Sequence, residues 1–352
     1  MMRWFAVCAA LLVGTLVVSP RLAQAQNWVT PELCRVVDPV IRSDLFFWPS
    51  LQQLQERAAQ VPNGTGRFWR ITSPSGAVSH LWGTFHSSEP LMLDLPAELL
   101  ESIAQAKVVA LELDPIYTSR QEMELDWFGD QKFRNPLENF RLVGIDPRIE
   151  DWVRTRTYGL GWSHDAPDYL KYSSLIGMLL NDPCSDFSYG TFPIQDSYIQ
   201  LLGTLAGAQI IGLEPVDALG MKVDDPENED LAHAIIELYG SYLDPSQTNA
   251  MRSTVFAAYL EGQIGLSMQI DRAHAAGLFG QDRANELVDR VDGYLVDERN
   301  AAFLTELEPL VNRGGVVIAI GAFHLPGAQG MVEMLRGAGF TVTRVPVVGE
   351  VR

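Results

Sequence analysis

Short apolar runs alternate with helical periodicity at both ends of the chain, and this alternation limits the fold more than any other feature. Val108-Val109-Ala110-Leu111-Glu112-Leu113 reads as a strand, closed by Asp114-Pro115. Before it, Leu99, Leu100 and Ile103 recur at helical spacing from about Pro96 to Ala106. Arg67 to Thr72 and Ala77 to Phe85 flank Ser73-Pro74-Ser75-Gly76, the signature of a hairpin. Asp196 reads as the cap of a helix carrying Tyr198, Leu201, Leu202 and Leu205, and the strand Gln209 to Leu213 follows. Near the C-terminus come a strand from Gly315 to Ile320, a helix from Gly327 to Arg336 and a last strand from Phe340 to Val347. Strands separated by helices imply an α/β fold, a central mixed β-sheet covered by helices. About Tyr117 to Leu180 and Val216 to Leu295 lack strand patterning and read as helical insertions (117–180 and 216–295) within one domain spanning 67–350.

Residues 1–25 read as a signal peptide: Arg3, an apolar run from Trp4 to Val18, and Ala23-Gln24-Ala25 as a cleavage site. The run is short for a membrane span, which needs about 20 apolar residues. No later apolar stretch is long enough, so the expectation is an exported protein without a stable span after cleavage. It would be periplasmic in a Gram-negative bacterium and secreted otherwise. Cys34 and Cys184 then remain in an oxidising compartment, where a disulfide is the natural reading and two unrelated buried thiols the alternative. Such a bridge would tether an N-terminal arm, residues 26–66.

The formal charge is −18, and the leader carries Arg3 and Arg21 without acids. An excess of negative charge disfavours nucleic acid as a partner, because phosphate binding needs a basic footprint. It equally disfavours anionic lipid headgroups. Oligomeric state has no signature in the sequence.

Leu81-Trp82-Gly83-Thr84-Phe85-His86 and Ala319-Ile320-Gly321-Ala322-Phe323-His324 each end an apolar strand on Gly-x-Phe-His. Strand C-termini of a parallel sheet form the usual ligand crevice, so His86 and His324 are expected in one site. Gly83 and Gly321 would let the backbone turn sharply or approach a ligand. Two imidazoles from neighbouring strands suit a divalent metal ion, given a carboxylate to complete the set. Glu112, a charge on an otherwise apolar strand, is the leading carboxylate, and Glu214 at the end of Ile210-Ile211-Gly212-Leu213 is the second. For either, a strand-end carboxylate accepting structural hydrogen bonds is the plain alternative. Arg299 lies on the same helical face as Leu295, Val296 and Phe303 and wants an anion there, Glu112 or a substrate oxyanion. A surface arginine with a buried stem is the alternative reading, and Asn300 is a weaker candidate beside it. The segments that would flank these residues carry no motif that identifies a substrate.

These blocks, with Leu111-Glu112-Leu113-Asp114, Ile210-Ile211-Gly212-Leu213-Glu214-Pro215, Glu298-Arg299-Asn300 and Gly321-Ala322-Phe323-His324-Leu325-Pro326-Gly327 in order, resemble the TraB/GumN family, relatives of the Tiki metalloproteases. The resemblance covers about Phe68 to Val345. Ile194-Gln195-Asp196 departs slightly from that family's Gly-Ile/Met-Asp. The resemblance implies an EreA/ChaN-like fold and hydrolysis of a peptide or small-molecule substrate with Mn, Co or Zn. It makes His86, His324 and Glu112 ligands or catalytic bases and Arg299 a stabiliser of negative charge. Two other functions remain open at this level: a haem or small-ligand binding protein using the same cleft, and a non-catalytic exported protein that engages a partner.

Overall fold

The computed structural model describes residues 31–113, 144–186 and 193–351. The leader, residues 1–25, lies outside them, as does much of the first helical insertion, 117–143. Six strands form one sheet: β1 (Phe68–Thr72), β2 (Val78–Thr84), β3 (Val108–Leu113), β4 (Gln209–Glu214), β5 (Val316–Gly321) and β6 (Thr341–Arg344). Their order is β4-β3-β5-β2-β1-β6. β4, β3, β5 and β2 run parallel, whereas β1 is antiparallel to both β2 and β6. The sheet is therefore mixed, and its four parallel strands end at the same edge.

The β1–β2 hairpin closes where expected. Gly76 takes φ 87°, and the Ser73 Oγ accepts the Ala77 N–H at 3.0 Å. Alternation along the buried strands divides two cores. Val316, Ile318 and Ile320 of β5 pack with Phe303, Leu307, Met331 and Leu335 on one face of the sheet. Val317 and Ala319 pack with Leu99, Ile103 and Ile199 on the other. A strand buried on both faces needs apolar residues at every position, and this is why β5 carries no polar side chain. Glu112 shares the parity of Ala110, so it leaves β3 on the face covered by the helix Arg299–Val311.

Parts of both helical insertions share one hydrophobic cluster, in which Ile149, Val153, Leu175 and Ile176 pack with Ile235, Ile236, Leu287 and Val291. Cys34 and Cys184 are joined by a disulfide. The N-terminal arm also packs on its own account, through a helix (Leu51–Ala58) started by a capping box between Ser50 and Gln53. Its Leu54 is fully buried against Ala258, Leu266 and Ile270. Because the bridge closes a loop of 150 residues, replacing both cysteines by serine should cost about 3–5 kcal/mol, measurable by urea denaturation.

Two acids in the helical cluster give stability a pH dependence. Burial pushes Asp271 up to about 7, with the Tyr242 hydroxyl opposing and Asp292 adding to the shift. Burial also pushes Asp292 up to about 6, against the attraction of Arg272. Both folded values are raised above the ordinary carboxylate value of about 3.9. Their contribution to stability is thus complete below about pH 4 and lost as pH rises through 6 and 7. Asp271→Asn, which keeps an acceptor for Tyr242, should stabilise the protein at pH 8 and have no stabilising effect near pH 4. Thermal melts across that range test the sign.

Candidate active site

Each group expected in the site arrives from the carboxyl end of a parallel strand or from the helix that covers it. β2 and β5 are neighbours with Thr84 opposite Gly321, so the two Gly-x-Phe-His turns lie side by side. β3 flanks β5 on its other side and brings in Glu112. β4 flanks β3 and brings in Glu214. Arg299 begins its helix just after a π-helical turn, Gly293–Glu298. A turn of that kind widens the backbone and is frequent at functional sites.

Neither glycine is needed for a left-handed backbone. Both are needed for space. A Cβ on Gly83 would stand 3.0 Å from both the Ala322 Cα and Leu325 Cδ2, in the second turn. One on Gly321 would stand 2.9 Å from Glu112 Oε1 and 3.4 Å from His86 Nε2. The close approach is to neighbouring protein groups, Ala322 and Leu325 for Gly83 and Glu112 for Gly321.

Glu112 lies at the centre. Its Oε1 accepts the Gly321 N–H, and its Oε2 accepts from Arg299 Nη2 at 2.8 Å. Arg299 also binds Glu214, through Nε at 2.8 Å and through Nη2. Its Nη1 donates to the Leu295 carbonyl at 3.2 Å and lies 3.5 Å from His324 Nε2. The guanidinium packs over Phe303, as the helical face predicts. Most of its donors are therefore engaged by protein groups. Both glutamates join the site, and the arginine links them.

The two histidines are oriented from behind. His86 Nδ1 lies 2.9 Å from Asp196 Oδ2, and Asp196 Oδ1 accepts from the Thr84 hydroxyl at 2.7 Å. A carboxylate can only accept, so His86 carries its hydrogen on Nδ1. His324 Nδ1 lies 2.8 Å from Asn300 Oδ1. The Asn300 amide donates to the His324 carbonyl at 3.1 Å and to the Gln329 carbonyl at 2.9 Å. Two carbonyl partners fix which end of that amide faces the ring, and His324 too must be protonated on Nδ1. Both Nε2 atoms face Glu112 Oε1, at 3.9 Å for His86 and 3.6 Å for His324.

Asp196 was expected as a helix cap. The helix Gln195–Leu205 instead has Ile194 at its N-cap, without a side-chain cap, and Asp196 in its first turn turns to Thr84 and His86. A carboxylate near a helix N-terminus remains electrostatically comfortable in either role. Gln195 beside it is buried and braces the first turn, its Oε1 accepting from Trp82 Nε1 at 3.1 Å and from the Phe85 N–H at 3.2 Å.

Electrostatics separate the two rings. The Asp196 charge holds the half-exposed His86 up at about 9. Burial pushes His324 down to about 4. Burial pushes the Glu112 carboxyl up, but His324, Arg299, His86 and the Gly321 N–H together hold it well below the usual carboxylate range.

Residues 67–344 match the TraB/PrgY/gumN family. The chain belongs to that family. No curated protein and no solved structure matches it, so the mixed sheet of this TraB/PrgY/gumN member is described by its own topology rather than by likeness to EreA/ChaN-like folds. Among the described residues, no helix is long and apolar enough to cross a membrane.

Three features suit the cleft to a divalent cation. Glu112, Glu214 and Asp196 outnumber Arg299 and the protonated His86 by one negative charge, and by two once both histidines are neutral as metal ligands must be, an imbalance that a cation would offset. Both imidazoles turn Nε2 toward one carboxylate oxygen, and their other nitrogens are fixed by Asp196 and Asn300 in the manner of supported metal ligands. The donor separations of 3.6 and 3.9 Å compare with the roughly 3.4 Å expected between ligands of one tetrahedral ion at about 2.1 Å. Among the described residues no group of three or more His, Cys, Asp or Glu side chains is already drawn in to hold an ion. Binding would require the donors to close by a few tenths of an ångström.

Proposed function

We propose that this is an exported, divalent-metal-dependent hydrolase that acts on peptide-type bonds, with His86, His324 and Glu112 holding the ion. The observation that carries the reading is the convergence of two imidazole Nε2 atoms on one carboxylate oxygen. In the metal-free site the proton held on His86, whose pKa the Asp196 charge raises to about 9, supplies the positive charge beside Glu112, and a divalent ion would take that proton's place between the donors. A bound Mn²⁺, Co²⁺ or Zn²⁺ would supply Lewis acidity and lower the pKa of a water molecule.

The chain's own residues would do the rest. Asp196 and Asn300 keep the two rings in the ligating tautomer. Glu112 is held in its charged form by Arg299 and the Gly321 N–H. Because Glu214 and Glu112 occupy Arg299, its first role is to fix the carboxylate, and the Nη1 hydrogen that faces His324 Nε2 at 3.5 Å, released once that nitrogen ligates an ion, is what it can offer to developing negative charge. The disulfide supports export, and the resemblance to Tiki metalloproteases supports a peptide substrate.

A haem-binding alternative has less support, because the two Nε2 atoms look at Glu112 Oε1 across 3.9 and 3.6 Å, too little room for a macrocycle. Screening the mature protein against peptide libraries with Mn²⁺, Co²⁺ or Zn²⁺ should reveal cleavage that a chelator stops and that His324→Ala lacks. Cleavage that persists in both conditions would rule out the metal mechanism. Metal binding without cleavage of any peptide would remove the peptidase assignment, and unchanged partner capture by the histidine variants would point to a non-catalytic protein.

A further inference from the structure

The turn carrying His86 and the Cys34–Cys184 bridge meet at one carboxylate. Asp182 Oδ1 accepts the backbone N–H of Cys184 at 2.9 Å and so starts the short turn that holds this cysteine. The same carboxylate receives Arg252 through Nη1 at 3.0 Å and Nη2 at 2.6 Å. Its Oδ2 also accepts from the hydroxyl of Ser87, the buried residue directly after His86, at 3.4 Å. Ser87 Oγ in turn accepts the Glu89 N–H at 3.2 Å, and Arg252 reaches Glu89 at 3.3 Å.

One helix carries these links. In Asn249–Leu260, Asn249 donates to the carbonyls of Leu33 and Arg35 on either side of Cys34, at 3.0 and 2.7 Å. Arg252, one turn on, holds Asp182 on the other side of the bridge. Phe256 and Tyr259 pack on Phe85, with ring centroids 5.6 and 5.0 Å away. The Tyr259 hydroxyl lies 2.9 Å from the Gly83 carbonyl. The helix therefore touches both halves of the bridge and both sides of the His86 turn.

We infer that Asp182, clamped by Arg252, is a positioning residue for the His86 turn and couples that turn to the Cys34–Cys184 bridge, so that reducing the bridge loosens the turn. Reduction by a dithiol breaks the S–S bond, places two electrons and two protons on the cysteine sulfurs and leaves the dithiol as its own disulfide. The Pro183–Ser185 turn is then released from the Pro31–Cys34 helix, and the carboxylate at its start is no longer held in one place.

The inference goes beyond the hydrolase reading, and its test needs neither metal nor substrate. Hydrogen exchange is followed at residues 84–89 in the oxidised protein, in the protein reduced with dithiothreitol with its thiols counted, and in Asp182→Asn. Reduction and Asp182→Asn should each speed exchange there by roughly tenfold, and reduction should add little to the variant. Unchanged exchange at 84–89 after full reduction, with residues 31–36 and 182–186 exchanging faster, would overturn the coupling. If reduction unfolds the whole chain, so that β5 also loses protection, oxidised Asp182→Asn decides alone: faster exchange confined to the turn supports the inference, and no change overturns it.

Discussion

Arg299→Ala should lower stability by about 3–5 kcal/mol, a fall in Tm on the order of 5–15 °C. The reason is charge left behind. Glu112 and Glu214 are both nearly buried, with side chains 10 and 9 % exposed, and Arg299 is the partner they share. Removing the guanidinium takes from both carboxylates the counter-charge they share, which costs far more than the intact network contributes. Arg299→Lys should recover only part of the loss, because a single ammonium cannot reproduce the guanidinium's fork of donors to two acids. Adding Glu214→Gln to Arg299→Ala should restore part of the stability by removing one of the stranded charges. Calorimetry of the three variants checks the order. Arg299→Ala melting like the wild type would mean that water already compensates the glutamates.

Gly321→Ala should weaken metal binding by about 100-fold, with a change in stability below about 1 kcal/mol. The added methyl would point at Glu112 Oε1 and lie near the His86 and His324 rings, with the first contact at 2.9 Å. The backbone at this residue has φ −49° and ψ 138°, a conformation that alanine accepts without strain. The penalty should therefore fall on the site and spare the fold, because the carboxylate must move away from the position where the imidazoles converge. Titration calorimetry with Mn²⁺ and a thermal melt on the same sample separate the two effects. Wild-type affinity in this variant would show that the glycine serves packing alone.

His86, Glu112, Arg299 and His324 were legible in the sequence because each breaks a local pattern. The histidines end matching strand-turn units, Glu112 interrupts an apolar strand, and Arg299 stands on an apolar helical face. The sheet was legible for a similar reason, since β3 and β5 are short runs with helical spacing around them. Asp196 was not, because an acid at the start of a helix is ordinarily read as a cap and its partners, Thr84 and His86, lie more than 100 residues away. Asn300 was undervalued on the same grounds: a buried amide shows its role only once the His324 turn is folded against it.

Backbone detail escaped for other reasons. The π-helical turn Gly293–Glu298 has no side-chain periodicity that sets it apart from an α-helix. The last helix starts at Met331 rather than Gly327, because Gly327 takes φ 97° and the chain turns there before winding up. The last strand, Thr341–Arg344, is shorter than the expected Phe340 to Val347, since it pairs only with β1 at the sheet edge.

The central claim is that the paired turns form a metal site, and elemental analysis of the purified protein after reconstitution and desalting tests it most directly. The wild type should retain about one equivalent of Mn, Co or Zn per chain, and His86→Ala/His324→Ala less than about a tenth of that. A folded wild type that retains no ion, or a double variant that retains as much as the wild type, would contradict the claim.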